Sequence, residues 1–156
     1  MIDPSQVIRA LDPASSRSPR SRNSKSESRK STSQKPTVLV VDDERVIADT
    51  MTEILKLSGF HAVCAYDGQS ALELAMRISP DIVLSDVVMP HMNGVQLAIA
   101  VREALPSTEI LLLSGQAGIT ELLKRGEDKG YSFELIPKPV HPEELLQRLR
   151  KGMSNA

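Results

Sequence analysis

Five strand-sized apolar runs alternate with five amphipathic segments along this chain, a pattern that predicts an α/β fold with one parallel sheet covered by helices on both faces. Two further observations support that class. The first run, Val38 to Val41, is β-branched and lacks polar alternation, as a strand buried on both sides does. The first, third and fourth runs also stop at Asp42, Asp86 and Ser114, where a strand would give way to a loop.

The first run is Val38-Leu39-Val40-Val41, which stops at Asp42-Asp43. A helix is expected next, with Val46, Ile47, Met51, Ile54, Leu55 and Leu57 as its apolar stripe and Ser58-Gly59 as its stop. Phe60 to Ala65 reads as the second strand, followed by a helix over Ser70 to Ile78. Ile82 to Ser85 is the third strand and ends at Asp86, before a helix over about Val95 to Leu105. Glu109 to Leu113 forms the fourth, ending at Ser114-Gly115, with a helix over Thr120 to Asp128. Phe133 to Ile136 is the fifth strand, and a last helix runs from Pro142 to about Lys151.

At 156 residues and 40% hydrophobic content the chain can bury one core, so a single domain over 36–152 is expected. The net charge of −1 hides a division. Residues 1–35 carry eight Lys/Arg against three Asp/Glu, and the remainder carries eleven against seventeen. From Pro13 to Lys35 the sequence is mostly Ser, Arg and Lys, with too few apolar side chains to offset the entropy of ordering the backbone. Residues 1–35 therefore read as a disordered arm. Its arginines suit an acidic or nucleic-acid partner, while a solvated tail explains the same composition. Cys64 is the only cysteine, which excludes an intramolecular disulfide and fits a reducing cytoplasm. No run approaches the length of a membrane span, and the N-terminus has no hydrophobic signal core, so a cytoplasmic protein without membrane contact is expected.

In an open parallel α/β sheet, ligands gather at the carboxyl ends of the strands. The residues at those ends are Asp42 and Asp43, then Asp86, Ser114 and Lys138. A single Asp after a strand is ordinarily a turn or helix cap. Three carboxylates, a hydroxyl and an ammonium on one sheet edge form a pattern with more specific chemistry.

Over about Lys35 to Lys151 the sequence resembles the receiver domain of two-component response regulators. The resemblance rests on Val40-Val41-Asp42-Asp43-Glu44, on the run from Asp86 through Met89-Pro90 to Asn93-Gly94, on Ser114-Gly115 and on Lys138-Pro139. It implies a flavodoxin-like, doubly wound five-stranded sheet of order 2-1-3-4-5. It also implies that Asp42, Asp43 and Asp86 hold Mg2+, that Asp86 accepts a phosphoryl group, that Ser114 senses it and that Lys138 pairs with it. A sensor histidine kinase or phosphotransfer protein would be the donor, and a downstream protein of unspecified identity the target. The implied protein is a phosphoacceptor regulator in a phosphorelay and not an enzyme, with intrinsic autophosphorylation from small phosphodonors and autodephosphorylation at most. The resemblance further implies a cis Lys138–Pro139 peptide, and roles for Val88 and Gln116 in screening the phosphoryl group from water. One position departs from the family: Leu135 stands where an aromatic residue is usual. A loosening of the fourth helix at Gly126, which costs about 1 kcal/mol relative to Ala, is the expected substitute for an aromatic switch.

The residue types suit that chemistry. Carboxylates about 4 Å apart repel by roughly 4 kcal/mol per pair at an effective dielectric near 20, and a divalent cation relieves the repulsion. Magnesium takes oxygen ligands in an octahedron and keeps several waters, so a few carboxylates suit it better than histidine or thiolate. Pro90 and Gly94 are expected to shape the loop after the third strand, Gly94 through a dihedral closed to other residues. His61, His91 and His141 lack metal-ligand spacing and are assigned no site.

Competing readings fit less well. A haloacid-dehalogenase-like phosphatase needs a second Asp two residues beyond its nucleophile, where this chain has Arg45 or Val88. A flavin module would need a hydroxyl- and Gly-rich phosphate loop after the first strand, and no Gly-Lys-Ser/Thr loop for nucleotides is present. The alternative that retains the fold is an interaction module that works without phosphorylation. Because the sequence ends soon after the fifth helix, output through another protein is expected, with no direct DNA binding by the receiver domain.

Overall fold

The computed structural model describes residues 35–115 and 119–155. The arm expected over 1–35 therefore lies almost entirely outside the described residues, as does Gln116. Ten elements alternate: β1 (Thr37–Val41), α1 (Arg45–Leu57), β2 (His61–Ala65), α2 (Gly68–Ile78), β3 (Ile82–Asp86), α3 (Gly94–Ala104), β4 (Glu109–Ser114), α4 (Thr120–Asp128), β5 (Glu134–Pro137) and α5 (Pro142–Asn155). The strands form one sheet of order β2-β1-β3-β4-β5 with every pairing parallel.

Because side chains alternate across a strand, each central strand feeds both faces. Leu39, Val41, Val83 and Leu112 pack on one face with Ala71 and Ala75 of α2 and Leu97, Ala98 and Val101 of α3. Val38, Val40, Ile82, Leu84, Leu111 and Leu113 pack on the other with Ala48 and Leu55 of α1 and Leu145 and Leu149 of α5. Each large aliphatic side chain fully buried this way contributes about 1.5–3 kcal/mol over leaving it exposed. The small alanines allow the helices to approach the sheet.

Element ends follow local chemistry. Asp67 caps α2 through a bond from the Ser70 N–H, so that helix starts two residues before the expected Ser70. Asn93 and Gln96 form a reciprocal capping box at α3. Gly59, at φ +98°, turns the chain out of α1.

Several expectations need correction. The predicted stripe of α1 is too wide: Val46 and Leu57 are exposed, whereas Thr52 is buried and returns its hydroxyl to the Ala48 carbonyl at 2.7 Å. Phe60 precedes β2, buried beside α1, and Phe133 precedes β5. Gly126 is the one buried residue in α4, and a Cβ there would lie 3.3 Å from Val95 Cγ1 of α3, so the glycine is a contact point between helices as well as a propensity cost.

Gly94 is required by close approach, not by its dihedral. Positive φ is found at Gly59 and Gly130, whereas a Cβ on Gly94 would overlap the Asp86 carbonyl oxygen and lie 2.8 Å from Val87 Cα. The Gly94 N–H donates to the Val87 carbonyl at 2.7 Å, which draws α3 onto the end of β3. Gly94→Ala should therefore destabilise the fold by about 1–3 kcal/mol through overpacking against backbone. Urea unfolding of the two proteins measures this directly, and equal midpoints would contradict it.

Candidate functional site

The sheet order opens a crevice where the chain reverses direction, since β1 passes to β2 on one side and β3 begins on the other. Asp42 and Asp43 follow β1, and Asp86 is the last residue of β3, adjacent to β1 in the sheet. Among the described residues these three are the group of acidic or metal-ligating side chains that converges, each offering a carboxylate oxygen within 4.8 Å of the others. Asp42 is buried, Asp86 partly buried and Asp43 exposed, so the cluster runs from the sheet edge out to solvent.

Lys138 enters from the other side. β4 and β5 pair through Ser114 and Pro137, and the Lys138 N–H continues the ladder to the Ser114 carbonyl at 2.7 Å. The Lys138–Pro139 peptide is cis, as the resemblance implies. Lys138 Nζ lies 3.5 Å from Asp86 Oδ1 and 3.6 Å from Asp42 Oδ2, sharing one positive charge between two carboxylates. The other oxygen of Asp42 accepts the Glu44 N–H at 2.9 Å, which fixes the direction of that carboxylate. Ser114 is buried at the end of β4, and a Cβ on the neighbouring Gly115 would lie 3.3 Å from the Lys138 side chain, so this glycine gives the lysine room to pass.

The electrostatic balance is incomplete within the chain. Three carboxylates face one ammonium, which leaves two uncompensated negative charges when all are ionised. Burial pushes the Asp86 carboxyl above the usual carboxylate range; Lys138 pulls it back, and the Asp42 charge pushes it up again. An all-oxygen donor set with excess negative charge and an open outer side fits a hard divalent cation such as magnesium.

Asp42, Asp43, Asp86 and Lys138 thus converge at one crevice, and Ser114 lies at the adjoining strand end, one residue past the partner of Asp86. The departure at Leu135 also has a structural counterpart. Leu135 pairs with Leu112, two ladder steps before Ser114, and is partly buried against the same core cluster as Leu122 and Leu123 of α4. Phe133 lies farther from the crevice, stacked on Tyr131 at 6.2 Å between centroids, with the Arg102 guanidinium 5.2 Å from its ring centre. Tyr131 in turn donates to Glu103 at 2.7 Å.

Sequence reasoning missed one buried polar group next to Asp86. Ser85, buried within β3, donates its hydroxyl to the Asp86 carbonyl at 2.9 Å. A serine interrupting an apolar strand is the available signal, but its partner cannot be read from the sequence.

Comparison with known proteins agrees with this geometry. Residues 38–150 match the family described as the response regulator receiver domain. The chain is 35% identical over 117 residues to the probable transcriptional regulatory protein TcrX of Mycobacterium tuberculosis, covering 75% of this chain and 49% of that protein. It spans about half the length of the curated relatives it matches. The solved structure of the Vibrio cholerae chemotaxis protein CheY4 is 31% identical with a TM-score of 0.67, covering 76% of this chain and 98% of that one. The signal receiver domain of an HD domain-containing protein from Pseudomonas fluorescens is 28% identical with a TM-score of 0.71, covering 78% and 97%. With its sheet order, its acidic crevice and a family match across most of its length, the chain belongs to the response regulator receiver domain family.

Proposed function

We propose that this chain is a phosphoacceptor of a two-component relay, in which Asp86 takes a phosphoryl group from a sensor histidine kinase or phosphotransfer protein and thereby alters its binding to a downstream protein. The observation that carries this reading is the convergence of Asp42, Asp43 and Asp86, with Lys138 Nζ within 3.6 Å of two of them. Receiver domains as a class are signalling regulators and take phosphoryl groups from histidine kinases or phosphotransfer proteins.

Asp42, Asp43 and Asp86 would hold the magnesium ion. When bound, it would supply positive charge to the carboxylates and to the incoming phosphoryl oxygens. Asp86 is the nucleophile: an ionised carboxylate oxygen forms the new P–O bond as the donor's bond to phosphorus breaks and the leaving group departs with its electron pair. Lys138 provides a charge-assisted hydrogen bond to a product phosphoryl oxygen, and the Ser114 hydroxyl donates to another. Val88, two residues past Asp86, is 42% exposed and would stand at the approach of water to the acyl phosphate.

Incubation with magnesium and acetyl phosphate, followed by intact mass, should yield one base-labile phosphoryl adduct in the wild type and none in Asp86→Asn, because the amide is a poor nucleophile. Labelling of Asp86→Asn at the wild-type level would move the acceptor elsewhere. An unlabelled wild type would favour an interaction module that works without phosphorylation. Asp43→Ala should weaken magnesium binding while the fold persists, as read by calorimetric titration; unchanged affinity would remove Asp43 from the ligand set.

The raised position of the Asp86 carboxyl also has a sign that can be checked. An acid held above its ordinary range in the folded state stabilises the fold fully below that range, and the contribution is lost as pH rises through the raised value. In metal-free buffer the wild type should lose stability over that window, whereas Asp86→Asn should not and should be more stable at neutral pH by about 1 kcal/mol. Added magnesium should narrow the difference. Parallel pH profiles for the two proteins would contradict this account of the site.

A further inference from the structure

β3 carries apolar residues at Ile82, Val83 and Leu84, all essentially inaccessible, and then one polar side chain that is just as buried, Ser85. On the Ser85 side of the sheet the neighbouring strand positions are Val83, Val87 and Leu112, all members of one apolar cluster. A hydroxyl in such surroundings is unfavourable unless it is hydrogen-bonded, and an alanine or valine would fill the position without that requirement. Its partner here is the carbonyl oxygen of Asp86, at 2.9 Å.

That carbonyl belongs to the peptide immediately after the acceptor aspartate, and it is held from a second direction. Gly94 packs against it so closely that a Cβ would overlap the oxygen. The next carbonyl, of Val87, accepts the Gly94 N–H at 2.7 Å, and the Val87 N–H donates to Leu113 at 3.0 Å. The Asp86–Val87 peptide is therefore fixed by Ser85 on the strand, Gly94 at the start of α3 and Leu113 on β4. Rotation of that peptide would change the backbone at Asp86 and carry the carboxylate away from Lys138 and the other two aspartates.

We infer that Ser85 is a positioning residue for phosphoryl acceptance: its hydroxyl sets the Asp86–Val87 peptide and, through it, the attack direction of the Asp86 carboxylate. The inference rests on Asp86 being the phosphoryl acceptor, and extends that reading to a residue that would touch neither donor nor metal. In-line attack on phosphorus is sensitive to sub-ångström placement, with a misplacement of about 1 Å costing on the order of a hundredfold. Loss of one of several restraints should cost less, roughly three- to tenfold on the same scale.

The experiment compares wild type, Ser85→Ala, Ser85→Cys and Ser85→Thr in magnesium and acetyl phosphate, following adduct formation by intact mass well below each protein's melting temperature. Ser85→Ala and Ser85→Cys should show a three- to tenfold lower maximal rate with the half-saturating acetyl phosphate concentration unchanged, because the donor's own contacts remain. Ser85→Thr, which keeps the hydroxyl, should recover most of the rate. Alanine is smaller than serine and cysteine larger, and neither is a strong donor, so a like effect from the two separates the hydrogen bond from simple packing even if the threonine variant fails to fold. A labelled wild type with Ser85→Ala and Ser85→Cys equally fast would overturn the inference and leave the acceptor assignment intact. A wild type that takes no phosphoryl group would overturn both.

Discussion

The mutual repulsion of three carboxylates held within 4.8 Å, against a single nearby ammonium, is the constraint on which the rest of this structure depends. An isolated cluster of that kind would spread or protonate. Here it is held by elements whose stability comes from elsewhere. The central strands β1 and β3 are buried on both faces and bring Asp42 and Asp86 to adjacent positions at the sheet edge. The β4–β5 ladder delivers Lys138 to the same place. Core burial thus offsets an electrostatic cost at the crevice, a cost that a bound cation would relieve.

Much of this was legible in the sequence because the two periodicities are clear. The apolar run Val38 to Val41 is strand-sized and stops abruptly at two acids, so both the element and the site residue follow from one observation. The same holds for Ile82 to Asp86. Placing the strand ends together also required the strand order, which local pattern does not contain and which came through the family resemblance. Failures occurred where tertiary contact decides. Val46 and Leu57 have the right hydrophobicity for a buried stripe but lie on the outward side of α1, whereas Thr52 is buried because its hydroxyl finds a backbone carbonyl. Gly94 was read as a dihedral requirement, and the real demand is space beside the Asp86 carbonyl. Neither distinction exists before the helices are packed.

The presence of Leu135 bears on the packing around the end of β5. No aromatic side chain adjoins Ser114 on β5; Phe133 lies before the strand, tied to Tyr131 and Arg102. A different set of contacts leads outward from Asp86. The Asp86 carbonyl touches Gly94, the next residue Val95 abuts Gly126 of α4, and Gly126 in turn faces the Phe133 ring, 3.8 Å from the position its Cβ would occupy. Gly94 lets α3 approach the backbone that follows Asp86, and Gly126 lets α4 approach Val95 of α3, so α4 is linked to that backbone by way of α3. Within α4 the buried residue is Gly126, which has no side chain, so this helix is anchored by fewer buried side chains than α3.

The central claim is that the crevice binds a phosphoryl group on Asp86 together with a divalent cation, and beryllofluoride tests it without any phosphodonor. Fluorine NMR of the wild-type chain with beryllofluoride should show bound resonances that appear only when magnesium is present and that are absent from Asp86→Asn. Bound resonances of equal intensity without magnesium, or none under any condition in a folded wild-type protein, would contradict the account.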